Sequence, residues 1–508
     1  MTPSQRIIVN TTAQYTRTII NVGLSLYSTR LILAALGETD FGIYNVVAGV
    51  VAMLSFITNA LVTTTQRYLS FYHGKEDKEK IRLVFGNSVL LHVLIGSGAL
   101  IILLSLAYPV VYSLLNIEPE RQMAALYVYG AASVMLFITF LTAPFRSLFI
   151  ARENIVYISI IDVLDGVLKL FIALFLAHIV SFDKLTIYSY LLVGISVFNL
   201  LAFSVYALRH FEECHIPSFK EWDSYFIRSL SSFTGWTIYS TGCIIVRTQG
   251  IAIIINRFLG SVINAAYGIA LQVSGATYFL AQALTNAMNP QIMKAEGSGN
   301  RSYMLTLAER SCKYAYILLS MIAFPLIAEM PSILQFWLGN VPEQAVMFCQ
   351  FVLLASVIDQ LTIGLGTANQ AIGNIRNYSI VVNSIKIVTL PCAWACLHYG
   401  LPVASVMYCY LGFETLCMLA RLPFLKITAQ LSIRHFVKTV FVPLVIPTSL
   451  LVLTCYAMTH YMDFNYRFIL TIFTSAIIYI ISIGLLGLSS DERMVFTNIV
   501  KQKILHKK

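Results

Sequence analysis

Fourteen stretches of about twenty or more consecutive, mostly apolar residues follow one another along the chain, and nothing constrains its folding more. A bilayer core about 30 Å thick is crossed by roughly twenty helical residues. Inside it every backbone N–H and C=O must be satisfied within the protein, which leaves only helices and closed barrels. The stretches cover residues 13–36, 41–70, 81–108, 123–149, 154–179, 185–208, 228–256, 261–288, 303–328, 345–372, 377–398, 400–422, 437–460 and 466–487. They are continuous and lack the two-residue alternation of a barrel strand. The expected fold is all-α, a polytopic membrane protein of about fourteen transmembrane helices. Composition agrees: 58% of the residues are hydrophobic and 11% charged, against about 25% charged in a soluble domain. Met1–Asn10 is polar and the first apolar stretch holds no A-x-A site, so a cleaved signal is not expected.

Lys and Arg orient the bundle. With an inside N-terminus the even-numbered loops and both tails are cytoplasmic; they carry twenty-two Lys and Arg, Arg146 and Arg421 among them. The opposite face carries four: Arg121, Lys184, Arg257 and Arg467. That asymmetry is the positive-inside pattern, and it places both termini in the cytoplasm. The net charge of +10 then reflects topology and anionic headgroups, with no nucleic-acid partner implied. After the last helix, Ser489 and Glu492 have the spacing of a capping box, which opens a short surface helix in the basic tail 489–508. The nine cysteines form no C-x-x-C pair and read as small buried thiols.

The chain repeats itself. A shift of 223 residues places Leu36-Gly37 on Leu259-Gly260, Tyr44 on Tyr267, Ala60-Leu61 on Ala283-Leu284, and Gly74 on Gly297. A shift of 220 places Ala151, Asn154-Ile155 and Ser159-Ile160 on Ala371, Asn374-Ile375 and Ser379-Ile380. Two parallel six-helix halves follow: an N-terminal lobe over 1–210, a cytoplasmic linker over 211–227 and a C-terminal lobe over 228–425. Two extra helices at 437–488 lie outside the repeat. Parallel repeats are the build of an alternating-access transporter, with a substrate site expected between the halves near the midplane.

Ionisable residues inside apolar runs each need a reason, since a charge at the bilayer centre costs about 2.5–3.5 kcal/mol on insertion scales. Arg17 and Arg30 lie in helix one, Asp162, Asp165 and Lys169 in helix five, and Arg247 in helix seven. Asp359, Lys386 and Glu414 lie in helices ten, eleven and twelve. Helices one, two, seven and eight contain no acidic residue, so Arg17, Arg30 and Arg247 are expected to line a cationic cavity suited to an anion such as phosphate. Asp165 and Lys169, four apart, can pair on one helix face. Asp359, Lys386 and Glu414 are expected to form a buried pair and leave one carboxylate for a proton or Na⁺. Arg67 reads as an interfacial side chain. Pro109, Pro144, Pro290 and Pro423 read as helix terminators; Pro325, Pro391, Pro443 and Pro447 read as kinks. No phosphate-binding G-x-x-x-x-G-K-[ST] loop, H-E-x-x-H or G-x-S-x-G motif occurs, so neither an enzyme nor a resident cofactor is expected.

The stretch Thr29-Arg30-Leu31 through Leu36-Gly37-Glu38-Thr39-Asp40-Phe41-Gly42-Ile43-Tyr44, with Gln66-Arg67-Tyr68 and Gly74-Lys75-Glu76-Asp77, resembles the N-terminal pattern of bacterial polysaccharide exporters. These are the O-antigen and lipid-linked oligosaccharide flippases of the multidrug/oligosaccharidyl-lipid/polysaccharide exporter superfamily. The resemblance implies two six-helix lobes in the bacterial inner membrane that alternate between inward-open and outward-open states. Its implied substrate is a polyprenyl-pyrophosphate-linked oligosaccharide, handed on to a polysaccharide polymerase machinery, with membrane lipids around it. Lipid II flippases of the superfamily use cavity arginines on the first and seventh helices, which Arg17, Arg30 and Arg247 match in kind. Related drug exporters often carry an acidic residue in helix one or seven, and this chain has none there. A cation-coupled drug exporter is the second expectation. A membrane-embedded polymerase or ligase is the third, and it lacks the large external loop of that class.

Overall fold

The computed structural model describes residues 3–115, 117–176, 183–489 and 492–494, and these are helical with no strand among them. Fourteen rods follow in order. The first half holds α1 (Gln5–Gly37), α2 (Thr39–Ala52 and Ser55–Gly74, bent by 42°), α3 (Lys78–Leu114), α4 (Pro119–Ala151), α5 (Ile155–Leu176) and α6 (Lys184–His210). Next come α7 (Ser224–Gly260), α8 (residues 261–297), α9 (Arg301–Ala328) and α10 (Ala345–Gln360 and Ile363–Ile372, bent by 45°). The last four are α11 (Arg376–His398), α12 (Ala404–Ala429), α13 (Ile433–Tyr461) and α14 (Arg467–Gly487). Nine of these are long and apolar enough to span a membrane, or eleven with each bent pair counted once. The fourteen expected spans are therefore not all met on hydropathy. The shortfall is α5, α8 and α12, which are long enough at about 1.5 Å per residue. They carry the polar load: Asp162, Asp165 and Lys169 in α5, Glu414 and Arg421 in α12, and a run of Asn, Gln, Ser and Thr in α8.

The chain divides into two compact units, one of Ile8–Ile238 and one of Met1–Ile7 with Tyr239–Lys508. In the first unit α4 packs against α2, α3 and α6. Its core is aromatic: Phe85, Tyr129, Phe140 and Phe149 are fully buried, and Phe149 stacks on Tyr157 at 4.8 Å. In the second unit α9 is central, packed on α10, α13 and α14. It presents a buried stripe of small residues, Ala308, Ser311, Cys312, Ala315 and Ala323. Opposite it sits Gly364, where an added Cβ would come within 2.3 Å of the Ala308 carbonyl oxygen. Lipid is as apolar as leucine, so helices associate by close packing of small residues. Large apolar side chains such as Ile477, Ile480 and Ile481 on α14 point outward instead.

The internal repeat has a backbone signature. α1 ends at Gly37 (φ 79°, ψ 171°) and α7 at Gly260 (φ 85°, ψ 177°), 223 residues apart. Glu76 (φ 56°) and Gly299 (φ 77°) are also 223 apart, and Glu153 (φ 58°) and Gly373 (φ 97°) are 220 apart. The Glu76 and Gly299 breaks are followed by matching starts. Asp77 accepts from the Lys80 amide to cap α3, and Asn300 accepts from the Tyr303 amide to cap α9. Pro144, Pro290 and Pro423 do not terminate helices: α4, α8 and α12 run through them. Pro109 likewise lies inside the helix, which continues as a π-turn over Val110–Leu114. Membrane bundles tolerate such prolines, because neighbouring helices and local π adjustments can satisfy the freed carbonyls.

Several charges at the rod ends are paired. Arg121 holds Asp40 at 2.5 Å and Asp183 at 2.9 Å, and Arg467 holds Glu329 at 2.9 Å. Glu213, buried in the 211–218 segment, accepts from Arg152 at 2.5 and 2.7 Å and lies 3.3 Å from His73. The capping box forms as expected: the Ser489 amide donates to Glu492 at 2.8 Å and the Glu492 amide to Ser489 at 3.3 Å. Lys313 then anchors Glu492 at 2.6 Å. Residues 490–491 and 495–508 of the tail and residues 177–179 of the fifth expected span lie outside the described residues.

Candidate functional site

In the first unit one carboxylate serves two guanidinium groups. Asp162, two turns into α5, accepts from Arg17 of α1 at 2.6 Å and from Arg146 of α4 at 2.8 and 3.0 Å. Asn21, one turn beyond Arg17, donates to the Asp162 backbone carbonyl at 3.2 Å. Gly166 makes the approach of α1 to α5 possible, since a Cβ there would meet the Asn21 side-chain oxygen at 2.9 Å. Arg17, Arg146 and Asp162 are 23%, 35% and 19% exposed. All three face a cavity of about 480 Å³, shared with Thr18, Asn21, Val22 and Ser25. Its ionised groups sum to one positive charge, and its other donors are hydroxyl and amide groups.

The sequence reading placed Arg17 in a cavity without a local carboxylate. That is corrected: the carboxylate comes from α5, out of sight of a reading confined to helices one, two, seven and eight. Asp165 and Lys169 do pair, at 2.7 Å, and Asn199 of α6 donates to Asp165 at 2.7 Å. Arg30 is exposed and makes no ion pair with a described residue. Arg67 is buried rather than interfacial, its guanidinium 4.6, 4.8 and 5.6 Å from the ring centres of Tyr68, Phe71 and Phe233.

In the second unit five ionisable groups form one buried chain. Arg247 of α7 donates to Glu414 of α12 and, at 3.2 Å, to the Tyr410 hydroxyl. Its guanidinium lies 4.4 Å from the Tyr410 ring centre. Lys386 of α11 reaches Glu414 at 2.9 Å and Asp359 of α10 at 3.8 Å. Arg421 completes the chain, donating to Asp359 at 2.7 Å and to Thr362 at 3.2 Å. Three cations thus share two carboxylates. Arg247 is not an open cavity arginine, and no carboxylate is spare. The expected pair-plus-one fails because Arg421, at the end of the expected span 400–422 and counted with the cytoplasmic charges, lies inside α12 and donates to Asp359.

Arg146 and Arg421 are the two residues that sequence reasoning missed, and for one reason: each lies near the inner end of its expected span, within two residues of a proline, and reads as one of the cytoplasmic charges. The signal was present. Apolar residues continue past both prolines, Phe145 to Ile150 and Phe424 to Ile427, and Arg421 lies seven residues, two turns, beyond Glu414. Among the described residues no group of three His, Cys, Asp or Glu is arranged to hold a metal ion.

No protein-family model matches the chain. It is similar to the uncharacterized membrane protein EpsK of Bacillus subtilis (strain 168), 23% identical over 345 residues. The match covers 66% of each protein, so the chain spans just under two thirds of that relative. Among solved structures it superposes on a MATE transporter in the bent conformation with a TM-score of 0.74 at 12% identity, covering 85% of this chain and 96% of the other. A multidrug resistance MATE family transporter of the MOP superfamily, in its outward-facing conformation, gives 0.71 at 13% identity, covering 85% and 96%. A MOP superfamily transporter from Pyrococcus furiosus Vc1, for which reverse polarity of the binding pocket suggests a different function, gives 0.71 at 12%, covering 85% and 96%. The chain therefore has the fold of the MATE transporters of the MOP superfamily.

Proposed function

We propose that this chain moves a polyprenyl-pyrophosphate-linked oligosaccharide outward across the bacterial inner membrane by alternating access, for surface polysaccharide or O-antigen assembly. The observation that carries the reading is the Arg17–Asp162–Arg146 cavity. Two planar guanidinium groups there face an open, largely apolar space that also holds the Thr18, Asn21 and Ser25 side chains. Guanidinium forks match the paired oxygens of phosphate, and a pyrophosphate presents two such groups. The surplus positive charge favours that anion over a cationic drug. In this reading both termini are cytoplasmic, lipid holds the prenyl tail, and a polysaccharide polymerase machinery receives the product.

A second reading, a cation-coupled multidrug exporter, is supported by the multidrug MATE neighbours. It is also supported by Asp162, a carboxylate at the cavity that a proton or cation could occupy. One experiment separates the two. In a strain lacking this protein, lipid-linked oligosaccharide is expected to build up on the cytoplasmic leaflet. Wild type should relieve it, and R17Q and R146Q should not, at equal membrane abundance. A charge-assisted hydrogen bond is worth about 1.5–3 kcal/mol, so each substitution should slow transport about tenfold or more. Unimpaired transport in both variants would sink the assignment. Normal glycan export with altered sensitivity to cationic dyes would put the exporter first.

A further inference from the structure

Three of the nine cysteines are not buried, and they gather at one end of one helix pair. Cys392 and Cys396 lie a turn apart on α11 and Cys409 lies on α12; all three are half-buried, while the other six are buried. The Cys396 and Cys409 sulfurs are 3.7 Å apart. The two helices are joined by the short segment 399–403, so the sulfurs meet beside a tight connection.

The depth of this pair follows from helix length. Arg376 opens α11, and twenty residues at about 1.5 Å each place Cys396 about 30 Å along the rod, a full hydrocarbon thickness away. Cys409 lies seventeen residues, about 26 Å, before Lys426 near the end of α12. The basic ends of both helices are cytoplasmic by the positive-inside rule, so the thiols sit at the opposite interface. Trp394 and Tyr399, 46% and 81% exposed, mark the same level, as interfacial aromatic residues do. On that side of a bacterial inner membrane thiols meet an oxidising compartment.

We propose that Cys396 and Cys409 form a disulfide on the non-cytoplasmic face. Each thiol gives up its proton and the Sγ–Sγ bond forms. The two electrons pass to the disulfide of an oxidised dithiol carrier protein, which leaves as a dithiol. The sulfurs close from 3.7 Å to the roughly 2.05 Å bond length by side-chain rotation. The staple fixes the register of α11 on α12, the pair that brings Lys386 to Glu414.

The test counts thiols. Membranes from cells expressing the full chain are quenched in acid, denatured, and treated with a maleimide-polyethylene glycol reagent before and after reduction. Of nine cysteines, the wild type should show 9 − 2 = 7 reactive thiols before reduction and nine after it. C396S and C409S should each show eight in both states, and C392S should still gain two on reduction. Nine reactive thiols in the unreduced wild type would overturn the proposal. So would a reduction-dependent gain that persists in C396S. The wild-type arm decides the matter even where a serine variant inserts poorly.

Discussion

A guanidinium inside a bilayer must take its counter-charge from whichever helix packs beside it, and sequence shows the guanidinium more readily than the neighbour. Arg17 and Arg247 were legible as buried cations because they interrupt long apolar runs. Their partners, Asp162 and Glu414, lie 145 and 167 residues away, and no spacing rule links them. Outside the spans one contact makes a pH-dependent claim. Burial pushes the Glu213 carboxyl up, but hydrogen bonds with His73 and Arg152 outweigh it and pull it down to about 2 from its ordinary 4.5. A carboxyl depressed in the folded state contributes its stability fully above the ordinary value, and loses it as pH falls toward the folded one. The contribution of Glu213 to the end of the first unit that holds residues 149–155 and 211–215 should be flat above about pH 4.5. Below that it should fall by up to about 1.4 kcal/mol per pH unit. Hydrogen exchange across residues 149–155 and 211–215 should record the loss. E213Q should be less protected at neutral pH and should flatten the slope; an unchanged slope would dismiss the assignment.

Among elements, the rods were legible and their breaks only partly so. Apolar runs located the rods, most ends to within about five residues, but the start of α1 and the ends of α3, α8 and α12 lie six to nine residues beyond the expected spans. The Leu36-Gly37 and Leu259-Gly260 match exposed the repeat. What the glycines do there needed the backbone: both adopt positive φ with ψ near 175°, a region that is essentially glycine-only. Prolines misled in the other direction, since a bilayer bundle carries them inside helices. This yields a controlled prediction. An added Cβ meets nothing within 4 Å at Gly37, Gly260 or Gly268, so any cost must come from the backbone. G37A and G260A should each destabilise by about 1–3 kcal/mol. G268A, on a helical residue of α8, should be neutral or slightly stabilising. Thermal unfolding in detergent checks the set; equal midpoints for G260A and G268A would remove the strain argument.

For the whole molecule, two signals disagree about how many times the chain crosses. Hydropathy admits nine to eleven spans, while the distribution of Lys and Arg follows the positive-inside pattern when fourteen are counted. The physical difference lies in α5, α8 and α12. α5 and α12 carry ion-paired residues and α8 carries polar ones, which lowers their hydropathy. A carboxylate neutralised within the bundle loses much of its insertion cost. Crossing parity decides between the counts. If α5 spans, residues 152–154 and the segment near 183 lie on opposite faces. If α8 and α12 span, so do residues near 260 and 299, and residues near 401 and 431. Single accessible cysteines at these six positions, in a background without native cysteines, should label alternately with an impermeant maleimide. Residues near 183, 260 and 401 should react from outside in intact cells, and 153, 299 and 431 only after permeabilisation. A pair labelling from the same side would remove the helix between its members from the bundle. Every charge beyond that helix would then be reassigned to the other face, and the positive-inside pattern that fixes the orientation would be lost.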